Sequence, residues 1–290
     1  MEHTFPGIKF QIVKPSGTFV TGAVLLPEGS RIERHALFRM LDRADQTYLK
    51  KFVASFPFKN QAHAIFLPSG IRLLILGVPA VKHITSRRLP VFMRQVALFA
   101  KREKVRVFSV ALSDFVSQNK DHRSDELITL LAQEFELANF EFNYYKEVPP
   151  EGFVRIEEVQ IIIDRPNPRL EDALRIGQVI GEETNKARIL ANTPGGDMTP
   201  ATLARAAEKI GQANNIRVTV LKEDEIKRLG MGGVIGVSQG SAERPRFIVM
   251  EYLNGPRREK PIVLVGKGVT FDTGGLNLKS SKEPKRFLFI

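Results

Sequence analysis

The sequence contains no cysteine, and this absence excludes several kinds of chemistry. Disulfide bonds, thiol nucleophiles and cysteine metal sites cannot form, and nothing in the composition argues against an intracellular protein. Residues 1–10 carry Glu2, His3 and Lys9 instead of a basic stub followed by an apolar stretch, so they do not read as a signal peptide. We therefore expect a cytoplasmic protein.

Long uninterrupted apolar runs are also absent. The most apolar region, residues 64–81, is broken by Pro68, Gly70, Arg72 and Pro79. Such interruptions predict two strands rather than one membrane helix, so we expect no membrane-spanning segment and no membrane partner.

Several catalytic motifs are missing. The five histidines all precede residue 166, and none pairs with another at the helical spacing of a zinc site. The cluster Gly230–Gly236 does not satisfy G-x-G-x-x-G, and neither a G-x-x-x-x-G-K-[ST] nor a G-x-S-x-G motif occurs. The sequence therefore argues against a histidine-based metal site and a serine triad in its second part, and it does not support nucleotide binding through these motifs.

The chain is long enough and has enough hydrophobic residues to form a substantial core. The chain has 290 residues, of which 43% are hydrophobic and 26% charged, and this length favours two domains. The formal net charge of +11 is spread along the chain and is not concentrated in a basic tail. Because no aromatic-plus-basic repeat or recognition helix accompanies it, we interpret the charge mainly as a solvated surface, and nucleic acid stays open as a partner.

Apolar periodicity predicts alternating strands and helices before residue 166. The predicted strands are 9–13, 18–26, 63–67, 72–77, 104–110 and 159–163, and the predicted helices are 32–53, 89–100 and 126–138. This alternation favours an α/β fold with a central, largely parallel sheet. Pro166-Asn-Pro168 interrupts both periodicities, so we place a domain boundary there, with domains at 1–165 and 166–290.

A second α/β unit is predicted after this boundary. Its predicted helices are 171–192, 200–213 and 223–229, and its predicted strands are 216–221, 246–252 and 262–265. Thr199 followed by Pro200 is a typical helix start, because the first helical N–H needs no intrahelical partner.

The stretch from Ile262 to Lys279 concentrates residues suited to chemistry. An apolar run ends at Gly266, and Lys267, Asp272 and Lys279 follow on a glycine-rich connection. A carboxylate beside a neutral lysine can hold a divalent metal, and a second lysine can polarise a carbonyl. The same residues also fit a surface loop or an ion pair, so their spacing leaves both interpretations open.

The order of residues in this stretch points to one protein family, whereas the spacing of its charged residues does not. Val265-Gly-Lys-Gly-Val-Thr-Phe-Asp-Thr-Gly-Gly275 resembles the signature of the leucyl aminopeptidase family of two-metal exopeptidases, also called cytosol aminopeptidases. Other segments resemble that family in the same order: Asn192-Thr-Pro194, residues 199–204, Met231-Gly-Gly233, Val237-Ser-Gln-Gly240 and residues 245–252, as do residues 72–78 and 140–146 in the first domain.

This resemblance implies a fold and a set of roles. It implies an N-terminal α/β domain followed by the first half of an α/β metallopeptidase domain. Lys267 would be a ligand of one metal ion, Asp272 would bridge two divalent ions, manganese or zinc, and Lys279 would be the catalytic lysine at the scissile carbonyl. The substrate would be a peptide that loses its N-terminal residue, with leucine-type preference, and the assembly a homo-hexamer.

The expected continuation after Lys279 is missing. The family's further carboxylate ligands and its active-site arginine should follow, but residues 281–290 do not resemble those motifs, and Pro284 would interrupt a helix. One amine and one carboxylate leave two divalent cations short of ligands. We therefore expect a chain that is truncated within the catalytic domain and inactive by itself.

Two other interpretations stay open on the sequence alone. The chain could be a non-catalytic regulatory or DNA-binding protein that retains the aminopeptidase scaffold. It could also be an unrelated α/β protein with a coincidental motif, although several separated segments match in order.

Overall fold

The computed structural model of the chain describes residues 6–16, 18–55, 61–115, 122–256 and 258–271. The chain forms two compact units, Met1–Lys186 and Ala187–Ile290. None of the helices in the described ranges combines the length and the apolar character that a membrane span requires.

The first unit contains a six-stranded sheet covered by helices. Its elements are β1 (Lys9–Val13), β2 (Thr21–Pro27), α1 (Ala36–Arg39), α2 (Arg43–Ser55), β3 (Ala62–Phe66), β4 (Arg72–Val78), α3 (Leu89–Arg102), β5 (Val107–Ala111), α4 (Ser124–Asn139) and β6 (Glu158–Ile162). The strand order is β1-β6-β5-β2-β4-β3, and only β3 runs antiparallel to its neighbour. The predicted α/β fold with a largely parallel sheet is thus confirmed.

The central strands are apolar on both faces of the sheet because both faces are covered. One row across the sheet aligns Ala23 with Leu74 and Val110, and these side chains belong to one buried cluster. The next row aligns Val24 with Ile75, and these belong to the second cluster on the opposite face. Alternation along a strand places neighbouring residues in different cores, which explains why β2 has no polar face.

The single helix predicted over 32–53 is wrong. The structure instead has a short 3-10 turn, Ile32–Arg34, followed by the separate helices α1 and α2. His35 Nδ1 accepts a hydrogen bond from the Leu37 amide at 3.1 Å and starts α1, while Asp42 Oδ1 accepts one from the Asp45 amide at 2.8 Å and starts α2. These side-chain caps stop the helical periodicity from becoming one continuous helix.

His35 also links α1 to the sheet. Since its Nδ1 atom accepts a bond, its Nε2 atom carries the proton and donates to Asp114 Oδ2 at 2.8 Å. Asp114 follows β5, and its Oδ2 atom also accepts from the Leu25 amide of β2 at 3.0 Å. A mostly buried polar pair therefore holds the start of α1 at the carboxyl ends of two central strands.

A long helix, α5 (Pro168–Asn192), packs its first part closely on α4. A Cβ atom at Gly177 would overlap the Thr129 carbonyl, and one at Gly181 would lie 2.5 Å from Glu136 Cβ. Thr129 Oγ1 also donates to the Ala173 carbonyl at 2.9 Å. Only glycine at the two α5 positions permits this approach of the two helices.

Helices α4 and α5 together hold the backbone of Ile8, just before β1. Glu136 Oε1 accepts from the Ile8 amide at 2.6 Å, and Gln178 Nε2 donates to the Ile8 carbonyl at 3.0 Å. Glu136 is fully buried, and its Oε2 atom has no hydrogen-bond partner in the described structure. Burial raises the pKa of the Glu136 carboxyl to about 8; the Ile8 hydrogen bond acts against this rise, and the charge of Glu182 adds to it.

The second unit begins near the end of α5. It contains α6 (Pro200–Asn214), β7 (Arg217–Leu221), α7 (Glu223–Arg228), α8 (Gly232–Ser238) and β8 (Phe247–Glu251). The two strands pair antiparallel, with Arg217 opposite Glu251. The predicted domain boundary at residues 165/166 precedes α5, and the two compact units divide within this helix, so the boundary stays a prediction.

The strand predicted at 262–265 is wrong. These residues have no regular secondary structure, and their four side chains are 76–92% exposed. A strand needs a hydrogen-bonded neighbour, and among the described residues the sheet of this unit consists only of β7 and β8. The run therefore does not form a strand, although its residue types favour one.

Glu136 makes the stability of the first unit depend on pH. The pKa of Glu136 in the folded protein, about 8, exceeds its ordinary value of 4.5. Between these two pH values the folded state therefore keeps a proton that the unfolded state has lost. Stability is therefore lost as pH rises. We expect Glu136→Gln to remove this contribution, so that the difference in free energy of unfolding between wild type and variant changes by about 1 kcal/mol per pH unit inside the window.

Urea unfolding followed by circular dichroism at several pH values measures this difference. Glu147→Gln, which changes an exposed glutamate of the same unit, is the control and should follow the wild type. Parallel pH profiles for wild type and Glu136→Gln would contradict the interpretation.

Candidate functional site

The start of α6 forms one side of the candidate site. Thr199 is the N-cap, and its side chain accepts a hydrogen bond from the Thr202 amide at 3.2 Å, while Pro200 occupies the first turn. This confirms the helix start predicted from Thr199-Pro200. Gly195 and Gly196 lie in the turn immediately before it.

The loop that carries Lys267 lies against this helix start. A Cβ atom at Gly195 would be only 2.8 Å from Cδ2 of Phe271, and one at Gly268 would be 3.9 Å from Cδ2 of Leu203. The Phe271 ring therefore sits where any side chain at position 195 would project. Glycine at 195 lets the loop approach α6 just before Asp272 in the chain.

A pocket of about 310 Å³ lies beside this contact. It is lined by Gly195, Gly196, Thr199, Pro200, Ser241, Glu243, Thr270 and Phe271. Three hydroxyl groups and one carboxylate supply its polar atoms. These groups can donate and accept hydrogen bonds, and the Glu243 amide donates one to Ser241 Oγ at 3.1 Å.

The structure describes only one of the three predicted site residues. Lys267 lies on the loop after the apolar run, at an exposed position. Asp272 and Lys279 lie outside the described residues, so their roles stay predictions. The contact between Gly195 and Phe271 was missed by the sequence reasoning, although the glycine pair before the Thr199 cap was a signal for close backbone approach.

The donor set of this chain does not by itself complete a two-metal site. Among the described residues, no three His, Cys, Asp or Glu side chains lie together in a way that could hold a metal ion. Residues 272–290 add only Asp272 and Glu283 as acidic side chains. Divalent cations of the magnesium, manganese or zinc type take four to six ligands each, so Lys267 and Asp272 fall well short of two such sets.

Comparison with known proteins decides the family. Residues 185–287 match the model of the cytosol aminopeptidase family, catalytic domain. The probable cytosol aminopeptidase of Bacillus subtilis (strain 168) is 32% identical over 224 residues, which cover 76% of this chain. That of Azoarcus sp. (strain BH72) is 46% identical over 123 residues, which cover 42% of this chain and 25% of the relative. The chain belongs to the cytosol aminopeptidase family.

This aminopeptidase-family chain spans about half the length of the curated relatives it matches. It covers 44% of the Bacillus subtilis relative, and 49% of the one from Nitrosococcus oceani, to which it is 28% identical over 250 residues. The family match begins at residue 185, close to the division between the compact units, and it includes Lys267, Asp272 and Lys279.

Solved structures share the fold of this family chain. A mutant of tomato leucine aminopeptidase superposes with a TM-score of 0.77 over 94% of this chain and 56% of its own, at 22% identity. The bottromycin maturation enzyme BotP in complex with Mn superposes with a TM-score of 0.65 over 91% of this chain and 51% of its own, at 23% identity. At such identity the likeness establishes the architecture only.

The Gly195 contact can be tested with a matched pair of variants. Gly195→Ala places a methyl group against Phe271 and should displace residues 266–271, so their amide hydrogens should exchange faster with solvent. Gly196→Ala is the control, because a Cβ at Gly196 meets no atom within 4 Å. Hydrogen–deuterium exchange with mass spectrometry measures the segment in both variants. Equal exchange in the two variants would show that position 195 does not support the loop.

Proposed function

We propose that this chain carries the N-terminal domain and the first half of the catalytic domain of a metal-dependent aminopeptidase, acting in the cytoplasm. The reaction of the complete domain would be removal of N-terminal residues, of leucine type, from peptides. The observation that supports this proposal is the match of residues 185–287 to the catalytic domain of the family, with Lys267, Asp272 and Lys279 inside it.

In this proposal each of the three residues has a distinct role. Lys267 supplies a neutral amine and Asp272 a carboxylate to a site for two divalent cations, manganese or zinc. Lys279 acts on the substrate itself, where its ammonium group donates to the scissile carbonyl oxygen and stabilises the negative charge that develops there. The packing of Phe271 on Gly195 fixes the loop next to Asp272.

The same proposal makes the chain inactive by itself. Lys267 and Asp272 provide one amine and one carboxylate, and the described residues offer no further cluster of acidic or histidine ligands. The remaining ligands would come from the half of the aminopeptidase that this chain does not match. The homo-hexameric assembly of the family is likewise a proposal for the complete protein only.

Hydrolysis of a leucyl chromogenic amide tests the proposal in two steps. We expect no hydrolysis by the chain alone in the presence of Mn²⁺ or Zn²⁺, since the ligand set is incomplete. Hydrolysis by the chain alone that disappears in Asp272→Ala would contradict the predicted inactivity.

The second step supplies the missing half. When the chain is co-expressed with the half of the Bacillus subtilis relative that it does not match, we expect hydrolysis that is lost in Asp272→Ala and Lys279→Ala. Lys282→Ala, a neighbouring lysine without a proposed role, should keep the activity. If the two halves form a complex that does not hydrolyse the amide, the proposed activity is wrong.

A further inference from the structure

A long loop of the first unit folds over the end of α3. It joins α4 to β6 and spans residues 140–157, which all belong to the described ranges and contain no helix or strand. Loops of this length without regular structure are uncommon in compact domains, and those that are well packed usually hold a function. The proposed hydrolysis, which concerns residues 185–287, does not use this loop.

Buried hydrogen bonds fix both ends of the loop. Asn139 Nδ2 donates to the Ile156 carbonyl at 2.9 Å, and Asn139 Oδ1 accepts from the Ile156 amide at 2.8 Å. From α3, Lys101 Nζ donates to the Asn139 carbonyl at 3.1 Å. Asn139 and Lys101 are both buried. Because buried side chains hold its backbone, the loop presents a fixed surface, which lowers the entropy lost when a ligand binds.

A tight turn within the loop positions Glu151. The Gly152 amide donates to the Pro149 carbonyl at 2.8 Å, and Pro150 and Glu151 form the turn between them. The fixed φ of proline suits the second position of such a turn. Gly152 has a φ of +73°, in the left-handed region that favours glycine. Glu151 therefore lies on a rigid corner of the loop.

A cavity of about 410 Å³ lies between this loop and the end of α3. Its volume is within the range of small-molecule sites. Four charged side chains line it, Lys101 and Arg102 from α3 and Glu141 and Glu151 from the loop. All of its lining residues belong to the first compact unit.

Two of these four charges form a fixed part of the wall. Lys101 is 8% exposed, and its Nζ atom lies 2.5 Å from Glu141 Oε1. The short distance and the bonds from Lys101 to backbone carbonyls hold this ion pair in place. The pair is therefore part of the scaffold of the cavity.

The other two charges are exposed and weakly paired. Arg102 Nε lies 3.7 Å from Glu103 Oε1, and Glu151 Oε1 lies 3.5 Å from Lys104 Nζ. Exposed ion pairs at such distances contribute little to stability, so Arg102 and Glu151 can turn to a ligand at small cost.

The lining indicates the chemistry of that ligand. Its two cations and two carboxylates cancel, so the cavity does not favour a polyanion. The guanidinium of Arg102 matches a carboxylate, and the carboxylate of Glu151 accepts hydrogen bonds from an ammonium group. Apolar surface beside them comes from Leu98, Phe153 and Val154. A ligand with both charges and an aliphatic group satisfies all three features.

We propose that this cavity binds a zwitterion with an aliphatic side chain, either a free amino acid or a short peptide. The ligand carboxylate pairs with Arg102, and the ligand ammonium pairs with Glu151. The aliphatic side chain packs on Leu98 and Phe153. This site lies outside residues 185–287 and is separate from the proposed hydrolysis.

Isothermal titration calorimetry of the full chain with L-leucine and with L-leucyl-L-leucine tests the site. EDTA in the buffer keeps the proposed metal site from contributing. We expect saturable binding of a zwitterion, and the tighter of the two ligands assigns the site to a free amino acid or to a peptide. Isocaproate, which lacks the ammonium, and isopentylamine, which lacks the carboxylate, should bind about tenfold more weakly, because each loses one charged contact.

Two variants test the residues. Arg102→Gln and Glu151→Gln should each weaken binding about tenfold, whereas Arg102→Lys, which keeps the charge, should bind more tightly than Arg102→Gln. The matched controls are Arg87→Gln and Glu147→Gln, since both residues are exposed in the same unit and neither lines the cavity. These controls should bind as the wild type does.

Saturable binding that both variants weaken supports the inference. The inference is overturned if neither zwitterion binds, if isocaproate or isopentylamine binds as tightly as the zwitterion, or if Arg102→Gln and Glu151→Gln bind as the wild type does. Because the titration uses no metal and measures no hydrolysis, a failure of the leucyl amide assay counts only against the proposed function.

Discussion

Burial of apolar side chains on both faces of a parallel sheet is the constraint on which the molecule depends. In the first unit, adjacent residues of β2 point into two different buried clusters, and the rows through Ala23 and Val24 continue across the neighbouring strands. Helices are therefore required on both sides. The second unit has a two-stranded sheet and few buried apolar residues, so the same constraint leaves its apolar run exposed.

Glycine marks close approach in both units. On α5, Gly177 and Gly181 allow contact with α4, and in the turn before α6, Gly195 allows the Phe271 ring to approach. Each of these positions has an identifiable neighbour. A Cβ at the glycines of α8 would meet no atom within 4 Å in the described structure.

Local signals in the sequence predicted much of the fold. The strands β1 and β4, the helices α3 and α4, and the start of α6 at Thr199-Pro200 lie within a few residues of their predicted positions. The helix predicted over 32–53 failed because capping by His35 and Asp42 divides it, and the pairing of His35 with Asp114 joins residues far apart in the chain. The periodicity of apolar residues does not reveal where such side-chain caps end one helix and begin another.

For the candidate site, residue order predicted more than spacing did. The motif around Lys267 placed the chain in an aminopeptidase family, which the match over residues 185–287 confirms. Spacing alone favoured surface residues or an ion pair. The glycine pair before Thr199 indicated a close backbone approach, but neither residue order nor spacing identified Phe271 as the neighbour, because the contact joins two loops that are separated by α6, both strands and two further helices.

The sequence by itself determined the family, the alternation of strands and helices, and the identity of the residues proposed for the metal site, since these depend on residue type and local order. Only the tertiary structure decided whether Ile262–Val265 forms a strand, which glycines face a neighbour, and which carboxyl group, Glu136, is buried with a raised pKa. The physical reason is that strand pairing, close packing and desolvation depend on partners that are distant in the chain.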